Sequence, residues 1–386
     1  MPPTNTSAPS NGGSERRRSL VAAIASVTVF GLSVGQAGPL LPLLLEARGT
    51  DPTLNGLNAA ATFIGVITGP LLAPRLVRRF GARNTLLGCF GLDIGLFLAM
   101  KLFDTIAAWF LLRAILGLVG SVIFTTGESW INQLAGDRSR GRIIGVYAAA
   151  LSAGFGTGPL VLLLTGIEGW LPFLVNAAIS AVATLPLFGA GNAAKGFGAE
   201  RGAGPLSMFP RAPAILGAVM VFGLYETALI TLMPIWGVRS GLSERMAAGT
   251  LTAVYFGSIV FQVLTGWLSD RLSRRTVLRL CGAAGLAGAG ALLAFGLPLP
   301  LFFSLLFLWG GMASGIYPVA LSMAGDRFRG GELVSVNAAM IIAYGLGAIV
   351  GPPLGGLAMD ISNPQGLLWL FVIVFAGLVA ALHRVG

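Results

Sequence analysis

From Leu111 to Leu134 only Arg113 and Glu128 carry a formal charge. A helix of about 20 predominantly apolar residues is long enough to cross a bilayer core. A stretch of this length and character therefore reads as a membrane-spanning helix. It is one of a series: apolar segments run roughly over 19–45, 55–77, 84–103, 106–134, 142–166 and 169–190, then over 212–237, 246–269, 276–296, 298–323, 332–358 and 364–383. Twelve spanning helices are expected. With 55% apolar residues, 10% charged residues and a mean hydropathy of +0.83, so much apolar surface has no place in a water-soluble core.

The expected divisions are a disordered cytoplasmic tail over 1–18, a six-helix bundle over 19–190, a cytoplasmic linker over 191–210 and a second six-helix bundle over 211–386. Within helix 1, Gly35, Gly38, Pro39 and Pro42 predict an interruption, of a kind tolerated only where backbone is buried in protein or lines a cavity. The formal charge of +10 would suggest nucleic acid in a soluble domain, but its distribution argues otherwise. Counted over alternate loops, twenty basic residues fall on one side and four, Arg48, Lys101, Arg239 and Arg245, on the other. The positive-inside rule then places both termini in the cytoplasm. Cys89 and Cys281 lie in apolar runs and read as small core residues, not as a disulfide or a metal site. The lone histidine, His383, excludes a histidine metal centre or proton relay, and no cofactor is expected.

The chain is built twice. A shift of 192 residues aligns Leu76, Arg79, Arg83, Leu86 and Cys89 with Leu268, Arg271, Arg275, Leu278 and Cys281, and the Ala-Gly-Asp-Arg turn at 135 recurs at 324. Paired halves of this size are a feature of membrane transporters.

The segment Gly266-Trp267-Leu268-Ser269-Asp270-Arg271-Leu272-Ser273-Arg274-Arg275 resembles the signature loop of the major facilitator superfamily, which joins the second and third helices of each half. Arg113-xxx-Gly117 is similar to that family's fourth-helix motif. Gly154-xxx-Gly158-Pro159 and Gly347-xxx-Gly351-Pro352-xx-Gly355-Gly356 look like its antiporter-linked helix-packing motif, although Leu162 and Leu163 replace the trailing glycine pair in the first half. Gly127-Glu128-Ser129 and Tyr317-Pro318-Val319-Ala320 look more narrowly like its bacterial YcaD-like branch. The resemblance implies an all-α fold of two pseudo-symmetric bundles and transport by alternating access. One departure stands out: the first-half loop has Arg78 where the family has its acidic residue. The family's acidic residue docks near a helix N-terminus of the opposite half, so two gating pairs are expected, Arg78 with Glu332 and Asp270 with Arg142, flanked by Arg79 and Arg271. The alternative is that these are solvated loop charges.

Charges inside membrane helices are costly and mark candidate sites. Asp93 and Arg113 flank the turn near Phe103 at equal spacing, which predicts an ion pair between them; Arg113 holding a substrate anion is the other reading. Glu226 has no basic residue inside any helix of its half, so desolvation favours its protonated form. Proton coupling through Glu226, Glu128 and Asp93 is one reading; for Glu226 the other is a neutral carboxyl held by Thr227 or a backbone carbonyl. Gln36, Asn132, Gln133, Gln262, Tyr225, Tyr255, Tyr317 and Tyr344 are candidates to line a cavity. Four buried charges, three of them negative, suit protons with a cationic or neutral organic solute.

The expectation is a monomeric, proton-coupled secondary transporter with export by antiport. Uptake by symport and a transport-dead receptor on the same scaffold stay open as alternatives. No phosphate-binding Gly-Lys-Ser/Thr loop points to ATP as the energy source. A membrane enzyme would need clustered acidic or histidine side chains, which the sequence does not offer.

Overall fold

The computed structural model describes residues 11–134, 140–191, 205–294 and 298–384; the side chains of Asn132, Arg142 and Asp270 are among those outside the description. Among the described residues there are thirteen α-helices and no strand. The first half comprises α1 (Asn11–Ala47), α2 (Pro52–Phe80), α3 (Ala82–Leu102), α4 (Ile106–Leu134), α5 (Arg140–Thr165) and α6 (Leu171–Phe188). The second comprises α7 (Pro213–Arg239), α8 (Glu244–Arg271), α9 (Arg274–Ala294), α10 (Leu299–Ser314), α11 (Ile316–Arg327), α12 (Gly330–Ile361) and α13 (Gly366–Arg384). Taking α10 and α11 as one crossing, eleven spans are long and apolar enough to cross a membrane. The twelfth is α5, whose described apolar part is Ala149–Thr165.

The repeat in the sequence reappears in the packing. In the first half α1 lies on α5 and α6, α2 on α4, and α3 on α6; in the second α7 lies on α12 and α13, α8 on α10, and α9 on α13. The halves meet where α2 packs on α12 and α5 on α8. Glycines bring the central helices to backbone contact, as expected where no hydrophobic force draws helices together in lipid. Gly154 and Gly158 of α5 sit against the α1 backbone at Thr28–Gln36, and Gly347 and Gly351 of α12 against the α7 backbone at Met220–Leu224. Pro159 and Pro352 follow, both buried within continuous helices. The turn from α2 to α3 is the single residue Gly81 at φ +80°, a backbone conformation that side chains with a Cβ disfavour.

Three expectations are corrected. Helix α1 is not interrupted: it runs through Pro39 and Pro42, because that stretch is buried, with Leu40, Leu41, Leu43 and Leu44 all covered and neighbouring helices excluding lipid from the weakened turns. It also begins at Asn11, inside the expected tail, and Arg16 Nε donates to the Leu134 carbonyl at 2.8 Å, placing a cation on the carbonyl end of α4. The expected single helix over 298–323 is instead broken at Gly315. Pro318 has no N–H for the Ser314 carbonyl, and the Ser314 hydroxyl is engaged by Gly310 O at 2.7 Å and Ser258 Oγ at 2.6 Å. Of the linker, 192–204 lies outside the described residues, while Pro205–Met208 forms a 3-10 turn whose Met208 is buried beside α7, α11 and α12.

Candidate solute site and gates

Helix α7 places Glu226 at its midpoint, and only Tyr344 of α12 hydrogen-bonds it among the described residues: the phenol donates to Oε2 at 2.8 Å. Thr227 is turned away, donating to Gly223 O at 2.7 Å and to Ala348 O at 3.3 Å. The reading in which Thr227 holds the carboxyl is thereby corrected. Tyr344 lies edge-on to Tyr317 of α11, with centroids 6.3 Å apart at 80°, and Phe222 of α7 packs on both at 5.9 and 6.2 Å. From the other half, Phe124 of α4 stacks on Phe155 of α5 at 6.1 Å, and Phe155 stacks on Tyr255 of α8 at 6.0 Å and 19°. Aromatic rings thus run across the junction of the halves to within electrostatic reach of Glu226.

Glu128 accepts a hydrogen bond from Tyr147 at 3.1 Å, and its charge reaches Tyr317, as does that of Glu226. Gln133 and Gln262 are exposed. Two cavity candidates prove to be core residues. Gln36 is fully buried, donating to Pro172 O at 3.0 Å and accepting from Asn176 at 3.2 Å. Tyr225 is 1% exposed, wedged among Trp309, Phe371 and Phe375.

Asp93 and Arg113 do not pair. Asp93 accepts from Ser180 of α6 at 2.6 Å, at one end of a buried chain through Ser33, Asn176 and Gln36. The Arg113 Nε and Nη1 are buried without a partner. Equal spacing from the α3–α4 turn matched their depth but not their direction, because Asp93 faces α6.

The ion pairs and candidate gate residues divide between two faces: that of the chain termini, and the opposite one. On the opposite face the ends of α1 and α7 are joined by a two-pronged ion pair, Arg239 Nε to Glu46 Oε1 at 2.6 Å and Nη2 to Oε2 at 3.1 Å, with side chains only 22% and 13% exposed. Beside it, the Thr53 N–H and hydroxyl of α2 donate to Asp360 of α12 at 3.2 and 2.5 Å, and the backbones touch at Gly56–Pro352 and Pro52–Gly356. At the termini, among the described residues, ion pairs stay within one half: Arg211 with Glu332 at 2.7 Å, and Arg274 with Asp326 at 2.7 Å. Arg78 is exposed, so the expected Arg78–Glu332 pair is not formed in this conformation; Arg142 and Asp270 fall outside the described side chains. Arg271 stacks on Trp267 at 4.0 Å and Arg79 on Phe80 at 5.3 Å.

Sequence reasoning passed over the opposite-face lock. A signal was present: Glu46 and Arg239 are opposite charges 193 residues apart, close to the repeat spacing of 192, so two-fold symmetry sets them side by side at equivalent helix ends.

Two helical halves tied at one face, with a carboxyl at the midpoint of the central α7, have the build of a membrane carrier. The Major Facilitator Superfamily model matches residues 21–255 and 215–385, and the chain belongs to that family. It is 28% identical over 366 residues to the uncharacterized MFS-type transporter YfkF of Bacillus subtilis, covering 92% of each chain, and 24% identical over 381 residues to one from Enterobacter, covering 96% of each. Its fold is similar to that of a point mutant of the nucleoside transporter NupG (TM-score 0.81, 15% identity, 96% of this chain and 99% of that one). It is also similar to a bacterial homologue of the human lysosomal transporter Spinster, in an inward-facing, unoccupied conformation (TM-score 0.75, 14% identity, 96% and 97%).

Proposed function

We propose that this carrier couples the proton gradient across a bacterial inner membrane to export of a small organic solute, by antiport, with both termini in the cytoplasm. The observation that carries the coupling is Glu226, a carboxyl at the midpoint of a spanning helix, held by one phenol and by no cation among the described residues. A single carboxylate that binds either a proton or the solute exchanges one for the other as the halves rock. The twenty-to-four bias in basic residues supports the orientation. With the opposite face tied by Glu46 and Arg239, the solute cleft in this conformation faces the cytoplasm. Glycine-proline packing of α5 on α1 and of α12 on α7, of the kind linked to antiporters, supports export over uptake.

In proteoliposomes under an imposed pH gradient, Glu226→Gln is expected to lower gradient-driven solute flux at least about a hundredfold, the loss of an essential proton carrier, while solute exchange without a gradient persists. Wild-type gradient-driven flux in the mutant would return Glu226 to a structural role.

The Arg78–Glu332 and Arg142–Asp270 pairs are assigned to the state closed at the cytoplasmic face, with Glu332 exchanging Arg211 for Arg78. Arg78→Glu and Glu332→Arg should each slow flux, and the double reversal should recover most of it. A double reversal no better than the singles would reject the pair.

A further inference from the structure

We propose that the cleft around Glu226 takes an aromatic organic cation, a substrate class that rests on the carrier reading above. Four groups gather there and, apart from the Tyr344–Glu226 bond, leave one another unsatisfied. Glu226 is only partly covered; Tyr344 occupies Oε2, and Oε1 has no protein partner among the described residues. The hydroxyls of Tyr255 and Tyr317 also make no hydrogen bond there, although both rings are half-buried, and neither hydroxyl is a sealed buried atom. Each of these two hydroxyls keeps some accessible surface. The charge of Glu226 reaches Tyr255, Tyr317 and Tyr344, so three phenols lie within electrostatic range of one acid.

The chemistry selects the ligand. Ring faces attract a cation through their quadrupole, and this is worth more once water is excluded. A buried carboxylate needs a counter-charge, and no guanidinium or amine acts on Glu226 among the described residues. The Phe124–Phe155–Tyr255 column, its rings inclined by 29° and 19°, ends at a ring that the charge of Glu226 reaches and offers a surface on which a ligand ring stacks. A free anion finds no counter-charge on the open surface of the site among the described residues: Arg113 is buried inside α4 at 4% exposure.

The test is calorimetric titration of the full chain in detergent, without any gradient, with three probes of similar shape: tetraphenylphosphonium, neutral triphenylphosphine oxide and tetraphenylborate anion. The cation is expected to bind about tenfold or more tightly than the oxide, from the added ion pair and ring contacts, and the anion not at all. Glu226→Gln should erase the preference for the cation. Tyr255→Leu, on a different helix, should weaken cation binding severalfold with the melting temperature unchanged, which keeps the proposal testable if Glu226→Gln misfolds. Equal or tighter binding of the oxide or the borate, or no binding of any probe, overturns the assignment. Cation binding without gradient-driven flux sinks the proton coupling and leaves the substrate class. Gradient-driven flux confined to neutral or anionic solutes sinks the class and leaves the carrier.

Discussion

Gly158→Leu leaves the first half unable to assemble. A Cβ at Gly158 meets the α1 backbone at Gly35 and Gln36, and at Gly154 it meets Thr28 and Leu32, so the crossing has no side chain that can move aside. Overpacking of an adaptable core costs about 1–3 kcal/mol. Here two helix backbones must separate, carrying α1 away from α5 along the contact that anchors the half. The cost is expected above that range, large against a total stability of about 5–15 kcal/mol, with each 1.4 kcal/mol lowering the folded-to-unfolded ratio about tenfold. Size-exclusion chromatography of detergent extracts should show the monodisperse peak largely lost. Gly95→Leu is the control: Gly95 is an exposed helical position on α3 with open space around its Cβ, and helix propensity favours the change. A monodisperse Gly158→Leu protein at wild-type yield would reject the backbone contact.

The second large effect concerns the opposite-face lock. Reversing Glu46 to Arg sets two guanidiniums against each other where the pair is only 13% and 22% exposed. Disrupting a largely desolvated charge pair costs about 2–5 kcal/mol, so the population of the state closed at that face should fall by at least about tenfold. Spin labels at Ala47→Cys and Ser240→Cys, with Cys89 and Cys281 replaced by alanine, report it as a longer, broader distance distribution. Arg239→Glu alone should do the same, and combining it with Glu46→Arg should restore the short distance. If the double variant stays open, the two side chains do not hold this face. Asp360→Asn is expected to act more weakly, because Asp360 is exposed and its Thr53 partner is neutral.

The helices were legible from sequence because each answers a local demand. A backbone in hydrocarbon must satisfy its own hydrogen bonds, and the run from Leu111 to Leu134 has no other way to do so. The pairing of halves was legible too, since duplicated residues such as Arg79 and Arg271 mark duplicated loops. Helix breaks were not: Pro39 and Pro42 were expected to interrupt α1 and did not, while Pro318, within a stretch read as one helix, ends α10 at Ser314. A proline only removes a donor. Whether the helix then bends, breaks or continues depends on the neighbours that pack over the weakened turn.

The site shows the same division at finer grain. Glu226 was identifiable as a buried charge without a basic partner, because charge and hydrophobic length are properties of the chain itself. Its bond to Tyr344, the stacking of Phe155 on Tyr255, the withdrawal of Gln36 and Tyr225 into the core and the turning of Asp93 from Arg113 to Ser180 were not. Each depends on the rotation of one helix about its own axis relative to another. That rotation is set by where glycines such as Gly158 and Gly351 let backbones touch, a relation between segments far apart in the chain that exists only once the helices have packed.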